Sequence, residues 1–262
     1  MGIEEASTMD WKSMIEGVLR WIHVVAGIAW IGHLYFFNWV NAHFAATMDG
    51  ETKKKVVPEL MPRALYWFRW GAAFTWITGL LLAGLVFYMS SGLMWASGAP
   101  DWSGSTLVML LVTWLGFLLY DQVFGKFKDQ RVTFAVGLAA VAAVLAGMEY
   151  WAKWSFRGEA IHVGIMFGTS MAFNVWFRIW PAQQKIIAAV KAGTPPDAAL
   201  VAMAGARSKH NTYMSVPLVF AMLNQHQTWA ATNQPWTFVV VVAVGWWLTF
   251  HLYMISKKVK GF

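Results

Sequence analysis

The stretch WTFVVVVAVGWWLTFHLYMIS (236–256) contains no Asp, Glu, Lys or Arg, and its reading decides the fold class. A helix needs about 20 mainly apolar residues to cross a hydrocarbon core of roughly 30 Å, and this segment has that length. Working outward, the same reading finds further apolar segments at approximately 14–41, 64–90, 105–124, 132–152, 159–181 and 209–228. The composition agrees: of 262 residues 58% are hydrophobic and only 13% charged, where soluble domains carry about 25% charged residues. The expected fold is all-α, a polytopic integral membrane helical bundle of about seven transmembrane helices forming a single domain over 1–262.

The opening MGIEEASTMDWKSM is acidic and lacks the basic n-region of a signal peptide, so it reads as mature sequence. The longest connection, 182–208, includes TPPDAALVAMAGARSK, where Thr194 can cap a short helix with Pro195 in its first turn. That piece is expected to be an amphipathic helix lying along the cytoplasmic membrane face.

Charge placement predicts the orientation. Lys53, Lys54, Lys55 and Arg63, then Lys126, Lys128 and Arg131, then Arg178, Lys185, Lys191, Arg207 and Lys209, and finally Lys257, Lys258 and Lys260 all fall on one side. The other side holds only Lys12, Arg20, Lys153 and Arg157. The positive-inside rule therefore predicts an outside N-terminus and a cytoplasmic C-terminus. The net charge of +7 reads as a topology signal, with no nucleic-acid partner implied. The absence of cysteine excludes disulfides, an iron–sulfur cluster on Cys ligands and a covalent haem c on this sequence.

Ionisable groups inside a membrane are costly and mark functional positions, so the histidines are the place to look for chemistry. His23, His162 and His226 fall in the outer half of their segments, and His33, His210 and His251 in the inner half, with His43 interfacial. A neutral imidazole can be an axial ligand of haem iron. His23, Gly27 and Trp30 share one helix face, which gives the first segment that character. The competing reading is that these histidines only bridge helices by hydrogen bonds. Arg69, about four residues into the second segment, reads as an interfacial anchor or a partner for a haem propionate. Asp121 and Glu149 are expected to be solvated helix ends, and Asn174 an amide linking two helices.

Several blocks resemble a known family. RWIHVVAGIAWIGHLYFFNWVN (20–41), YWFRWGAAFTWITGLLL (66–82), LYDQVFGK (119–126), FRGEAIHVGIMFGTSMAFNVWFRIWPAQQKII (156–187) and ARSKHNTYMSVPLVFAMLNQH (206–226) are similar, in order, to the membrane domain of the bacterial cytochrome-c-linked urate oxidase (urate hydroxylase) family. The resemblance implies a bacterial inner-membrane protein in which a multi-helix domain is followed by a further helix and a cytochrome c domain. It also implies oxidation of urate, with electrons passed through the cytochrome to the respiratory chain. This sequence ends on KKVKGF on the expected cytoplasmic side and has no cysteine, so a separate c-type cytochrome or larger membrane complex is the expected electron partner. The histidines matching the family blocks are His23, His162, His210 and His226, and His33 stands where a small residue is expected.

Three expectations follow. In the first, the chain is a redox component holding haem b, with His23 and His162 as axial ligands, His226 as substitute, and His33, His210 and His251 as alternatives. In the second, it is a urate-type oxidase using an external cytochrome, with Arg207, Lys209, His210, Asn211 and Tyr213 as substrate contacts. In the third, it is a structural or assembly subunit of a membrane complex, presenting tryptophans such as Trp67, Trp70 and Trp247 to its partners.

Overall fold

A computed structural model describes residues 10–89, 92–124, 127, 129–224 and 236–261. Among the described residues there are seven helices: α1 (Trp11–Thr47), α2 (Gly50–Tyr88), α3 (Gly104–Val123), α4 (Gln130–Trp151), α5 (Phe156–Ala192), α6 (Ala198–Leu223) and α7 (Trp236–Ser256). Six of them are long and apolar enough to cross a membrane; the more polar one is α6, which carries Arg207 to Asn211 in its middle. No strand occurs among the described residues, where a lone antiparallel bridge joins Trp95 to Trp154.

α5 is the axis of the bundle. Two-thirds of its most apolar window is buried (67%), against 6% for α1, and α2, α3 and α6 all pack against it. Side chains such as Ile28 and Trp21 on α1, Leu119 on α3 and Trp247 on α7 point outward, as lipid-facing residues do. Lipid is as apolar as they are, so what joins the helices is close packing and interhelical polar contact. Gly71 shows the first. A Cβ there would lie 2.9 Å from the Trp30 backbone nitrogen and 3.1 Å from the Ala26 carbonyl oxygen, so only glycine lets α2 approach α1 this closely.

Four π-helical turns interrupt the helices, at Phe36–Asn41, Ala83–Tyr88, Gly147–Trp151 and Asn174–Ile179. Each holds an extra residue within a turn and re-aims the side chains around it. After α4 the chain reverses through Lys153, whose φ of 55° is left-handed, and Trp154 N–H bonds back to Met148 O at 2.9 Å. Trp95 and Trp154, both buried, then donate their indole hydrogens to Thr106 Oγ1 at 3.3 and 3.4 Å.

Several expected boundaries move. α2 begins at Gly50 rather than near 64, because Asp49 caps it through Thr52 N–H at 2.8 Å and the helix accommodates Pro58 and Pro62. Arg69 therefore lies deep within α2, not four residues from its start. The 182–208 connection is also largely helical. α5 runs on past Pro181 to Ala192, Gly193 ends it at φ 73°, and Asp197 caps α6 through Ala199 N–H at 2.7 Å. The residues expected to form a separate amphipathic helix are the first turns of α6. Thr194 instead closes the end of α5, donating to Ala189 O at 3.2 Å.

Candidate functional site

Moving the start of α6 to Ala198 changes the setting of its polar motif. Arg207, His210 and Asn211 sit at i, i+3 and i+4, on one helix face, and that face turns into the bundle. The end of α3 supplies Tyr120 and Asp121, and the π-turn in α5 supplies Asn174 and Arg178.

Arg207 is only 6% exposed. Its Nη2 donates to Asp121 O at 2.9 Å and approaches Asp121 Oδ1 at 3.0 Å, and its guanidinium lies 5.1 Å over the Tyr120 ring. Arg178 Nε donates to Asp121 Oδ1 at 3.0 Å, and its Nη2 pairs with Asp121 Oδ2. Asp121 is thus the shared counter-ion of two arginines, not the solvated helix end the sequence suggests. Arg207 Nη1 is buried with no hydrogen-bond partner among the described residues, which is costly for a charged donor.

The neutral part of the cluster is fully connected. Asn174 Nδ2 donates to Tyr120 Oη at 2.9 Å and to Asn211 Oδ1 at 2.8 Å, and Asn211 Nδ2 donates to Met171 O at 3.0 Å. Asn174 thus links α5 to both α3 and α6. Since Tyr120 Oη receives the amide hydrogen, its own hydrogen is directed to His210 Nδ1, 3.0 Å away. His210 Nε2 is left without a protein partner among the described residues, beside Arg207.

A second tyrosine–histidine pair lies toward the other end of α3. Trp114 Nε1 donates to Tyr88 Oη at 2.9 Å; Tyr88 Oη lies 2.9 Å from His162 Nε2; His162 Nδ1 lies 2.7 Å from Gly158 O. The carbonyl can only accept, so Nδ1 carries the ring hydrogen and Nε2 accepts from the phenol. One donor direction runs through the whole chain of bonds. His162 is fully buried, with the Trp154 ring centroid at 4.4 Å.

His23 Nδ1 lies 3.0 Å from Thr78 Oγ1 on α2, and its ring fills the space over Gly79. Thr78 and Tyr88, the respective partners of His23 and His162, are ten residues apart on one helix, about 15 Å along its axis. The two histidines do not face each other across one ring, and both nitrogens of His162 are engaged. The described residues do not fit a haem sandwiched by that pair, so no step is derived through haem here. His33 donates to Ala29 O at 2.7 Å and His251 to Trp247 O at 3.0 Å, each toward its own helix. His226 lies outside the described residues. Among those described, no group of three or more His, Cys, Asp or Glu is placed to hold a metal ion.

Trp30 is buried at the α1–α2 contact. Arg69 stacks on Trp180 at 4.0 Å, with Tyr66 and Trp176 within 5.8 Å. Tyr213 turns away from the Arg207 cluster and stacks on Tyr253 at 5.9 Å, and Lys209 caps the Tyr253 ring at 5.7 Å. Tyr88, Trp114 and Tyr120 carry no sequence pattern that singles them out; their roles come from the helices they face.

Fold and site together define a polytopic α-helical protein of membrane type with a buried arginine–histidine–tyrosine–amide cluster. The family model described as "Urate oxidase N-terminal" matches residues 6–261. The chain belongs to that family. No curated protein and no solved structure matches it.

Proposed function

We propose that this chain is the membrane-embedded part of an oxidoreductase acting on urate or a similar planar anion, bound at the Arg207–His210–Tyr120 cluster. The observation carrying this reading is Arg207, a buried guanidinium with one nitrogen spent on Asp121 and the other without a partner. Urate is a planar monoanion near neutral pH whose edges alternate N–H and C=O groups. A guanidinium N–H can neutralise it and fix its plane. His210 Nε2 can then take a proton, because its Nδ1 is held by Tyr120 and the ring cannot turn away.

Oxidation with addition of water removes two electrons and two protons from urate. The family's link to cytochromes supports a separate c-type cytochrome, or a larger complex containing one, as acceptor. The excess of Lys and Arg at the Arg207 end favours placing that end in the bacterial cytoplasm and the Trp95–Trp102 loop outside the inner membrane.

Purified protein in lipid nanodiscs should reduce ferricytochrome c only when urate is present. Arg207→Gln should weaken urate binding by about tenfold to a hundredfold, the worth of a hydrogen bond to a charged group. His210→Ala should lower the rate more than the affinity. Equal urate affinity in the wild-type protein and Arg207→Gln overturns the assignment.

A further inference from the structure

The cluster at Arg207 and the exposed loop at Trp102 lie toward opposite ends of α3, and electrons taken from a substrate at one end have to reach an acceptor at the other. We infer that electrons cross this bundle on its own aromatic side chains, through Tyr120, Trp114, Tyr88 and Trp102, with His210 and His162 receiving the phenolic protons. The direction of flow rests on the function proposed above; the redox activity of the side chains does not.

Tyrosine and tryptophan are the two residues whose side chains can give up one electron at attainable potentials, and here they are contiguous. Trp102 is 46% exposed, at the surface where a soluble carrier can approach. Its ring centroid lies 6.2 Å from Tyr88. Tyr88 touches Trp114 through the 2.9 Å hydrogen bond. Trp114 and Tyr120 are six residues apart on α3, about 9 Å of helix rise. Tyr120 is part of the Arg207 cluster.

Both tyrosines in the series, and no other among the described residues, have a printed-distance hydrogen bond to a histidine nitrogen: 2.9 Å at His162 and 3.0 Å at His210. That is the feature a packing explanation leaves unaccounted for. A phenol that loses an electron becomes a far stronger acid than imidazolium, so oxidation needs a proton acceptor already in place. At Tyr88 the donor directions supply it. The phenol loses one electron to the oxidant and its proton to His162 Nε2, giving a neutral tyrosyl radical and an imidazolium still anchored on Gly158 O. An electron arriving from Trp114 and the proton returning from Nε2 restore the phenol. Each cycle moves one electron and no net proton, and the terminal oxidant is a one-electron carrier such as a ferric c-type cytochrome.

The absence of cysteine makes a clean test possible. Ala99→Cys, in the exposed loop beside Trp102, can be labelled with a ruthenium polypyridyl photo-oxidant in the full-length protein. A flash with quencher should produce a tyrosyl electron paramagnetic resonance signal, with or without urate. Tyr88→Phe should remove that signal, and His162→Gln, which keeps an acceptor but no base, should slow its formation by about tenfold or more. Trp114→Phe should keep the Tyr88 radical while lowering urate-driven cytochrome reduction by a similar factor at unchanged urate affinity. Circular dichroism and melting of each variant separate misfolding from loss of transfer. No radical in the labelled wild-type protein, or one indifferent to Tyr88→Phe, overturns the inference. A tyrosyl radical in a protein that never oxidises urate leaves it standing and rejects only the substrate.

Discussion

Asp121→Asn tests the Arg207 cluster in two directions at once. The carboxylate serves Arg207, whose side chain is 8% exposed, and Arg178, which is 45% exposed. A hydrogen bond to a charged group contributes about 1.5–3 kcal/mol when buried, and an exposed ion pair about 0–1 kcal/mol. Asparagine keeps one accepting oxygen, and Arg207 keeps its bond to the backbone carbonyl at 2.9 Å. The low end applies, and the expected loss is about 2 kcal/mol, or a fall of about 4–8 °C in melting temperature for a chain of this size. The same change should raise urate affinity. It removes a negative charge beside the anion site and frees Arg207 to bind. A gain of about 1 kcal/mol, or about fivefold, is the scale for one charge at such a distance. Differential scanning fluorimetry in detergent reads the first effect and equilibrium dialysis with labelled urate the second. A variant that is less stable but binds urate no better, or worse, would show that Arg207 is a structural anchor of Asp121 and not an anion contact.

Gly71→Ala should force α1 and α2 apart, since the new methyl meets backbone atoms of Trp30 and Ala26 that cannot move aside; a loss of about 1–3 kcal/mol is expected on melting. Lys153→Gly should raise the melting temperature, because glycine adopts the left-handed φ of 55° without the cost of about 1 kcal/mol carried by other residues. Asn211→Leu removes both amide links at the centre of the cluster and strands the Asn174 and Met171 groups, so it should cost about 2–4 kcal/mol and abolish activity. Hydrogen bonds from Thr52 hold the Asp49 carboxyl below the usual carboxylate range. Its cap on α2 should therefore act fully above about pH 4 and fade as pH falls through the lowered value; amide exchange near Gly50 should show that acid sensitivity, and Asp49→Asn should remove it.

Much of the architecture is legible from apolar run length. Trp236–Ser256 appears in the structure with the bounds its hydropathy suggests. Where the reading stops short, the cause is physical. Hydropathy marks the part of a helix in lipid, whereas hydrogen bonding extends it until a cap ends it, as at Asp49 and Asp197. That difference hid the setting of Arg207: taken as a loop residue beside a membrane surface, it is a buried side chain within a helix. The family blocks drew attention to His162 and His210, and the structure supplies what no single sequence can, the tyrosine facing each. Tyr88 and Tyr120 belong to other helices, so no spacing along the chain could have paired them with their histidines.

The π-turns carry a consequence for tolerance to change in length. Tyr88 closes one of them, with Met89 N–H reaching back five residues to Gly84 O at 2.8 Å, and Asn174 opens another. Deleting one residue from either turn would restore a regular α-helix, a conformation the backbone favours, yet rotate all that follows by about 100°. The phenol would leave His162, or Asn174 would leave Tyr120. Such a deletion is a cheap repair of the helix and a lesion of the polar centre. Homologues that dispense with these centres should therefore be recognisable by chains one residue shorter at these positions, before any side chain is compared.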